Sequence, residues 1–165
     1  MGKKEQVFYD IANILRRDVL LMTNKANSGH PTSCFSCAEI LSVLYFDQLR
    51  IDVKKPLSKN NDEFVLSKGH AAPILYSVLY RAGAIKTNLG TLREFTSKLE
   101  GHPMPRSLSW AKVASGSLGQ GLSVGVGMAL ARPKTKVYVL LGDSEMAEGS
   151  NYEAMQLASH YNRNN

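Results

Sequence analysis

The sequence predicts an α/β domain, a parallel sheet flanked by helices, because two short apolar runs each lead through a glycine-containing polar loop into a helical pattern. The first run is Glu63-Phe64-Val65-Leu66-Ser67, which passes through Lys68-Gly69-His70 into a helix that Gly83 should stop. The second, Val137-Tyr138-Val139-Leu140-Leu141, is continuously apolar, as expected of a parallel strand buried on both faces, and halts at Gly142-Asp143-Ser144. With 165 residues and 44% hydrophobic content the chain is expected to form one domain, 1–165, without internal repeats.

The remaining elements follow in order. Val7, Phe8, Ile11, Ile14, Leu15, Val19 and Met22 recur every three or four residues, which predicts an amphipathic helix from Glu5 to Met22. After the polar loop 23–31, Thr32 or Ser33 can cap a second helix running to about Leu49. Thr91 and Glu94 form a capping-box pair that should open a short helix to about Leu99, and Gly101-His102-Pro103-Met104-Pro105 a rigid turn. In the segment Leu122–Ala131, Gly125 and Gly127 would each cost a helix about 1 kcal/mol, which points to close approach of a backbone or ligand. Ser150 and Glu153 form a second capping box, opening a helix to about Tyr161.

Bulk properties exclude several classes. Cys34 and Cys37 are spaced CxxC but lack a second pair or histidines at metal spacing, so they are read as two thiols packed on one helix face. The formal charge of +6 is scattered, and no basic stripe is interleaved with aromatics, so nucleic acid is not an expected partner. No apolar run approaches the roughly 18 residues of a membrane span, nor does the start read as a secretory signal; a soluble, cytoplasmic protein is expected.

In open parallel sheets ligands collect beyond the carboxyl ends of the strands, where this reading puts both His70 and Asp143. A carboxylate in a glycine-led turn suits a hard cation such as magnesium with a phosphorylated ligand, although a lone Gly-Asp is more often just a turn. Three histidines that directly follow glycine, His30, His70 and His102, shift the balance, since imidazole can donate to phosphate and move protons near neutral pH.

Together the segments SGHPTSC, FVLSKGHAAPILY, EGHP, SGSLGQGLSVGVGMA and LLGDSEMAEGSNYEA, in this order and spacing, resemble the amino-terminal, diphosphate-binding domain of transketolase from about Asp10 to the last residue. The resemblance implies a thiamine-diphosphate-binding fold, with thiamine diphosphate and Mg2+ or another divalent cation as cofactors. It implies Asp143 as metal ligand, and Ser33, Lys68 and His70 near the diphosphate. Gly116, Ser117 and Leu118 would line the middle and pyrimidine end of the cofactor. His30 and His102 would face the sugar as acid-base partners, and Glu148 would join a carboxylate network reaching a partner's glutamate. The implied reaction moves a two-carbon ketol unit from a ketose phosphate to an aldose phosphate, with the cofactor supplying the carbon nucleophile.

Two departures from the family pattern qualify this. The family's Gly-Asp-Gly is here Gly142-Asp143-Ser144, so the serine side chain could crowd a phosphate, or its hydroxyl could donate to one. The family's asparagine ligand to the metal is not Asn164 or Asn165, because the preceding helix carries them roughly 15 to 20 Å from Asp143. The sheet is therefore expected to be incomplete on its C-terminal side. The chain alone should be inactive without a pyrimidine-domain subunit or segment, in a homo- or hetero-oligomer acting on sugar phosphates. The alternatives are a non-catalytic interaction protein that keeps this fold and, less favoured, part of a deoxyxylulose phosphate synthase-like enzyme.

Overall fold

The computed structural model describes residues 2–165, and its elements form three layers. Helix α1 (Lys3–Ala26) is longer at both ends than its apolar period requires. Its first turn is tied by the Gly2 amide donating to Glu5 Oε2 at 2.8 Å, and Asn27 ends it in the left-handed conformation at φ 46°. Its inner face, Ala12, Leu15, Val19 and Met22, is fully buried.

The expected single helix from Thr32 to Leu49 is broken into α2 (Pro31–Phe35), α3 (Ala38–Val43) and a π-helical turn, Leu44–Gln48. The break has a local cause. Lys68 Nζ and Ser36 Oγ both donate to the carbonyl of Ser33, at 2.7 and 3.0 Å, and the Cys37 amide bonds instead to Cys34 at 3.3 Å. Cys34 consequently lies in α2 while Cys37 stands in the turn before α3, rather than both on one helix. Both are buried and unbridged, and burial pushes the Cys34 thiol up to about 12, so neither is a ready nucleophile.

Strand β1 (Glu63–Leu66) pairs in parallel with β2 (Val137–Leu140), Glu63 opposite Val137 and Leu66 opposite Leu140. Phe64 and Leu66 face the core beneath α1, α3 and α4 (Ala72–Arg81), with Tyr138 and Leu140 packed alongside. The other sheet face carries α5 (Gln120–Ala131), which also packs on α6 (Gly149–His160). β2 is half buried rather than buried on both faces, because among the described residues β1 is its only partner strand.

Two expected helix starts are replaced. Thr91 Oγ1 bonds to Asn88 O and Ser97 Oγ instead of capping, and Arg93 takes φ 62°, so 91–99 is a series of turns after a 3-10 turn at Leu89–Thr91. Ser150 Oγ donates to Gly119 O at 2.8 Å, joining α6 to the start of α5. No helix among the described residues is long and apolar enough to cross a membrane.

The glycines in α5 differ. A methyl group at Gly125 would overlap Val139 Cγ2, so this glycine lets the helix settle on β2, whereas Gly127 has no neighbour within 4 Å. The close approach expected at Gly127 is therefore absent. Gly125→Ala should destabilise the fold by about 1–3 kcal/mol through overpacking. Gly127→Ala should instead stabilise it, by up to about 1 kcal/mol. Urea-denaturation midpoints check both, and equal shifts of one sign would contradict this packing.

Candidate functional site

Because β1 and β2 run in parallel and finish level, the segments that follow them leave the same edge of the sheet. A cavity of about 290 Å³ lies there, lined by Ser33, Lys68, His70 and Leu118 together with Asp143 and Ser144. The two groups expected to converge, His70 and Asp143, thus share one chamber.

His70 is held by Ser33, whose hydroxyl lies 2.7 Å from Nε2, and packs edge-on against His30 with ring centroids 5.2 Å apart. Burial lowers the pKa of His70, and the neighbouring His30, Lys68 and His102 add to the effect. Lys68 is 4% exposed and is directed by Ser33 O at 2.7 Å and Ser36 Oγ at 2.9 Å, beside the Cys37 thiol. Its carbonyl acceptor is the one that interrupts the helix, so the local break and the placing of the cation have one origin.

Glu145 organises the other side. It is 1% exposed. Its Oε1 accepts from Ser67 Oγ at 2.5 Å and the Gly119 amide at 2.9 Å, and its Oε2 accepts from the Gly142 amide at 2.9 Å. Ser67 Oγ accepts in turn from the Gly121 amide at 3.1 Å. One carboxylate therefore ties together the ends of both strands and the start of α5. Gly119 adopts φ 85°, and a side chain there would meet Glu148 Cβ at 2.6 Å, so only glycine fits this junction.

Asp143 caps a 3-10 turn, Ser144–Ala147, with its carbonyl, while its carboxylate receives no hydrogen bond among the described residues. That free carboxylate beside Lys68 and His70 is a donor set suited to a cation carrying a phosphorylated ligand. No cluster of three or more metal-ligating side chains occurs among the described residues, so any cation at Asp143 would need further ligands. Ser144 lies in the 3-10 turn and is not among the positive-φ residues, so serine is conformationally acceptable where the family pattern has glycine. Asn165 sits near the opposite end of β2, donating to Thr135 O at 2.8 Å while its carbonyl accepts from Val137, as expected for an asparagine that is not at the metal edge.

The remaining predicted residues surround the chamber unevenly. His30 and His102 are exposed beside it. The turn bearing His102 is anchored by Tyr76, whose hydroxyl donates to Glu100 O at 2.8 Å and is 3.3 Å from His102 O. Burial lowers the His102 pKa, assisted by Arg93 and His30. Gly116, at φ 149°, lies against the His102 ring, where a side chain would come within 2.8 Å of Cδ2. Ser117 is exposed, and Leu118 reaches the cavity wall. Glu148 is exposed, caps α6 without a side-chain bond and does not line the cavity. The residues not anticipated are Glu145, Ser36 and Tyr76. Glu145 follows Asp143 by two positions, but nothing in that spacing says which of the two acids turns inward.

Known proteins share this sequence pattern and fold. Residues 8–165 match the family model described as transketolase, thiamine diphosphate binding domain. The chain is 48% identical to the transketolase of Pongo abelii over 169 residues, covering 99% of the chain but 27% of that protein. It is 42% identical to one subunit of the apulose-4-phosphate transketolase of Phocaeicola vulgatus, covering 91% of the chain and 55% of that relative. The crystal structure of transketolase from Campylobacter jejuni superposes with a TM-score of 0.89 at 37% identity, over 98% of this chain and 27% of that one. The chain thus spans about a quarter of the length of the full transketolases it matches.

Two measurements check the site. Removing the clamp with Glu145→Ala strands three donors, two of them buried, and should cost at least about 2 kcal/mol in urea unfolding, with faster amide exchange at Gly119 and Gly142; a loss below about 0.5 kcal/mol would contradict the clamp. His70 and His102 should titrate below the ordinary 6.5 in an NMR pH series. The unfolded chain then takes up these protons at higher pH than the folded one, so stability is undiminished above about 6.5 and falls as pH drops toward the folded values.

Proposed function

Because the chain belongs to the transketolase thiamine diphosphate binding domain family, we propose that it is the diphosphate-binding part of an enzyme that transfers a two-carbon ketol unit from a ketose phosphate to an aldose phosphate. The observation that carries the reading is the shared cavity of Asp143, Lys68 and His70 at the carboxyl edge of the sheet. Its residue types fit thiamine diphosphate with Mg2+ or another divalent cation, which when bound would supply the carbon nucleophile. Asp143 would ligate the cation. Lys68, which lines the cavity, and the Ser33–His70 pair would hold diphosphate oxygens, and the Ser144 hydroxyl would add a donor. Gly116, Ser117 and Leu118 would flank the middle of the cofactor.

His30 and His102 are proposed to face the sugar. A lowered pKa keeps His102 neutral at neutral pH, so it can accept a proton from a substrate hydroxyl and return it to a developing alkoxide. Glu148, exposed at the start of α6, is suited to meet a carboxylate of a partner rather than the cofactor. A pyrimidine-domain subunit or segment would complete the site in a homo- or hetero-oligomer, a division supported by the Phocaeicola vulgatus relative, which is named as one subunit of its enzyme. The cytoplasm is the proposed location, in keeping with two free thiols.

Calorimetric titration of thiamine diphosphate with Mg2+, with and without a pyrimidine-domain partner, tests the proposal. Metal-dependent binding is expected in the complex and should weaken at least tenfold in Asp143→Asn. Binding that needs no metal, or that Asp143→Asn leaves unchanged, would overturn it. The chain alone should show no ketol transfer.

A further inference from the structure

A second concave region lies away from the Asp143–His70 cavity and shares no lining residue with it. It is a groove of about 760 Å³ between segments 53–56, 83–87 and 105–110. Four cations, Lys54, Lys86, Lys98 and Arg106, line it, and no Asp or Glu does. Lys54, Lys86 and Lys98 are in no ion pair among the described residues, whereas Lys112, behind Trp110, is paired with Glu63 at 3.5 Å. Arg106 has only Glu100 nearby, at 3.5 Å.

The groove is preformed and two-sided in its chemistry. Lys112 Nζ donates to Pro56 O at 2.6 Å while lying 5.8 Å from the Trp110 ring centroid, which ties one wall to the floor. The Leu108 amide bonds to Met104 O at 3.0 Å and the Ala84 amide to Leu79 O at 2.9 Å, which fixes the other two segments. Trp110, Leu108 and Ile85 give an apolar floor, and Thr87 and Ser109 contribute hydroxyls from the walls.

Three cations without an ion pair, Lys54, Lys86 and Lys98, repel one another and the neighbouring Arg106 around one volume, and a phosphate dianion placed among them relieves that repulsion. The apolar floor suits the C–H face of a small carbohydrate, and the volume lies within the range of metabolite pockets. We propose that this groove is a second binding site, for a small sugar phosphate ester. It stands independently of the cofactor reading. It adjoins a cleft lined by Arg93, Glu100 and Gly101, next to His102, through the shared Lys98, Arg106 and Ser107, so a bound ester would sit on the approach to that histidine.

Trp110 is the chain's only tryptophan, so its emission reports this groove selectively. Titration with glucose 6-phosphate at low ionic strength should give a saturable change, tighter than with inorganic phosphate. The Lys86→Glu/Lys98→Glu variant, and separately Lys54→Glu, should weaken it at least tenfold with unchanged circular dichroism, while Asp143→Asn should leave it intact. A non-saturable change, an unaltered affinity in the lysine variants, or inorganic phosphate binding as tightly as the ester would overturn the assignment. So would a response confined to single-stranded oligonucleotide. Because Asp143→Asn alters only the cavity, failure of the groove and failure of the cofactor reading are separable.

Discussion

The carboxylate of Glu145 is the interaction on which the site depends. It is buried and meets only neutral donors, a hydroxyl and two backbone amides. Removing such a charge from water costs several kcal/mol, which is offset only when its acceptor positions are well filled. Ser67, Gly119 and Gly142 fill them, and each stands where an element ends or begins. The strand ends and the start of α5 therefore cannot shift independently, and the chamber between His70 and Asp143 keeps its width. Asp143, two residues earlier, is left free to face outward.

A second constraint works from the opposite wall. Lys68 reaches across to the Ser33 carbonyl, and the helix that sequence periodicity would have continued stops there. Stability given up in the helix is matched by placement, because the same contact aims Lys68 and sets Ser33 beside His70. The buried thiols pack at this break, where Cys37 Sγ donates weakly to the same Ser33 carbonyl at 3.7 Å and to the Cys34 carbonyl at 3.3 Å.

Much of the architecture was legible. The two apolar runs are the two strands, and the periodic segment after residue 5 is α1, because burial on a sheet or along one helix face leaves a direct trace in residue order. What failed was local punctuation. Thr91 and Ser150 carry the composition of capping boxes, yet each hydroxyl is claimed by another acceptor, Asn88 O and Gly119 O. Capping competes with tertiary hydrogen bonds that sequence spacing does not record. His70 and Asp143 were legible as neighbours because both follow strand ends, and outside the site the odd Gly125 marked the close approach of α5 to β2. Glu145 was not, since the choice between inward and outward acid is made by amides from distant segments. The same limit hid the groove at Trp110, whose four cations are spread from Lys54 to Arg106 and read as scattered charge until the fold gathers them.

The most direct test of the central claim is paramagnetic. Mn2+ added with inorganic pyrophosphate should broaden the NMR signals of the His70 imidazole and the Leu118 methyl groups, and Asp143→Asn should restore them. Sharp His70 and Leu118 signals in the presence of Mn2+, or broadening that persists in Asp143→Asn, would show that Asp143 does not hold a cation in the chamber it shares with His70.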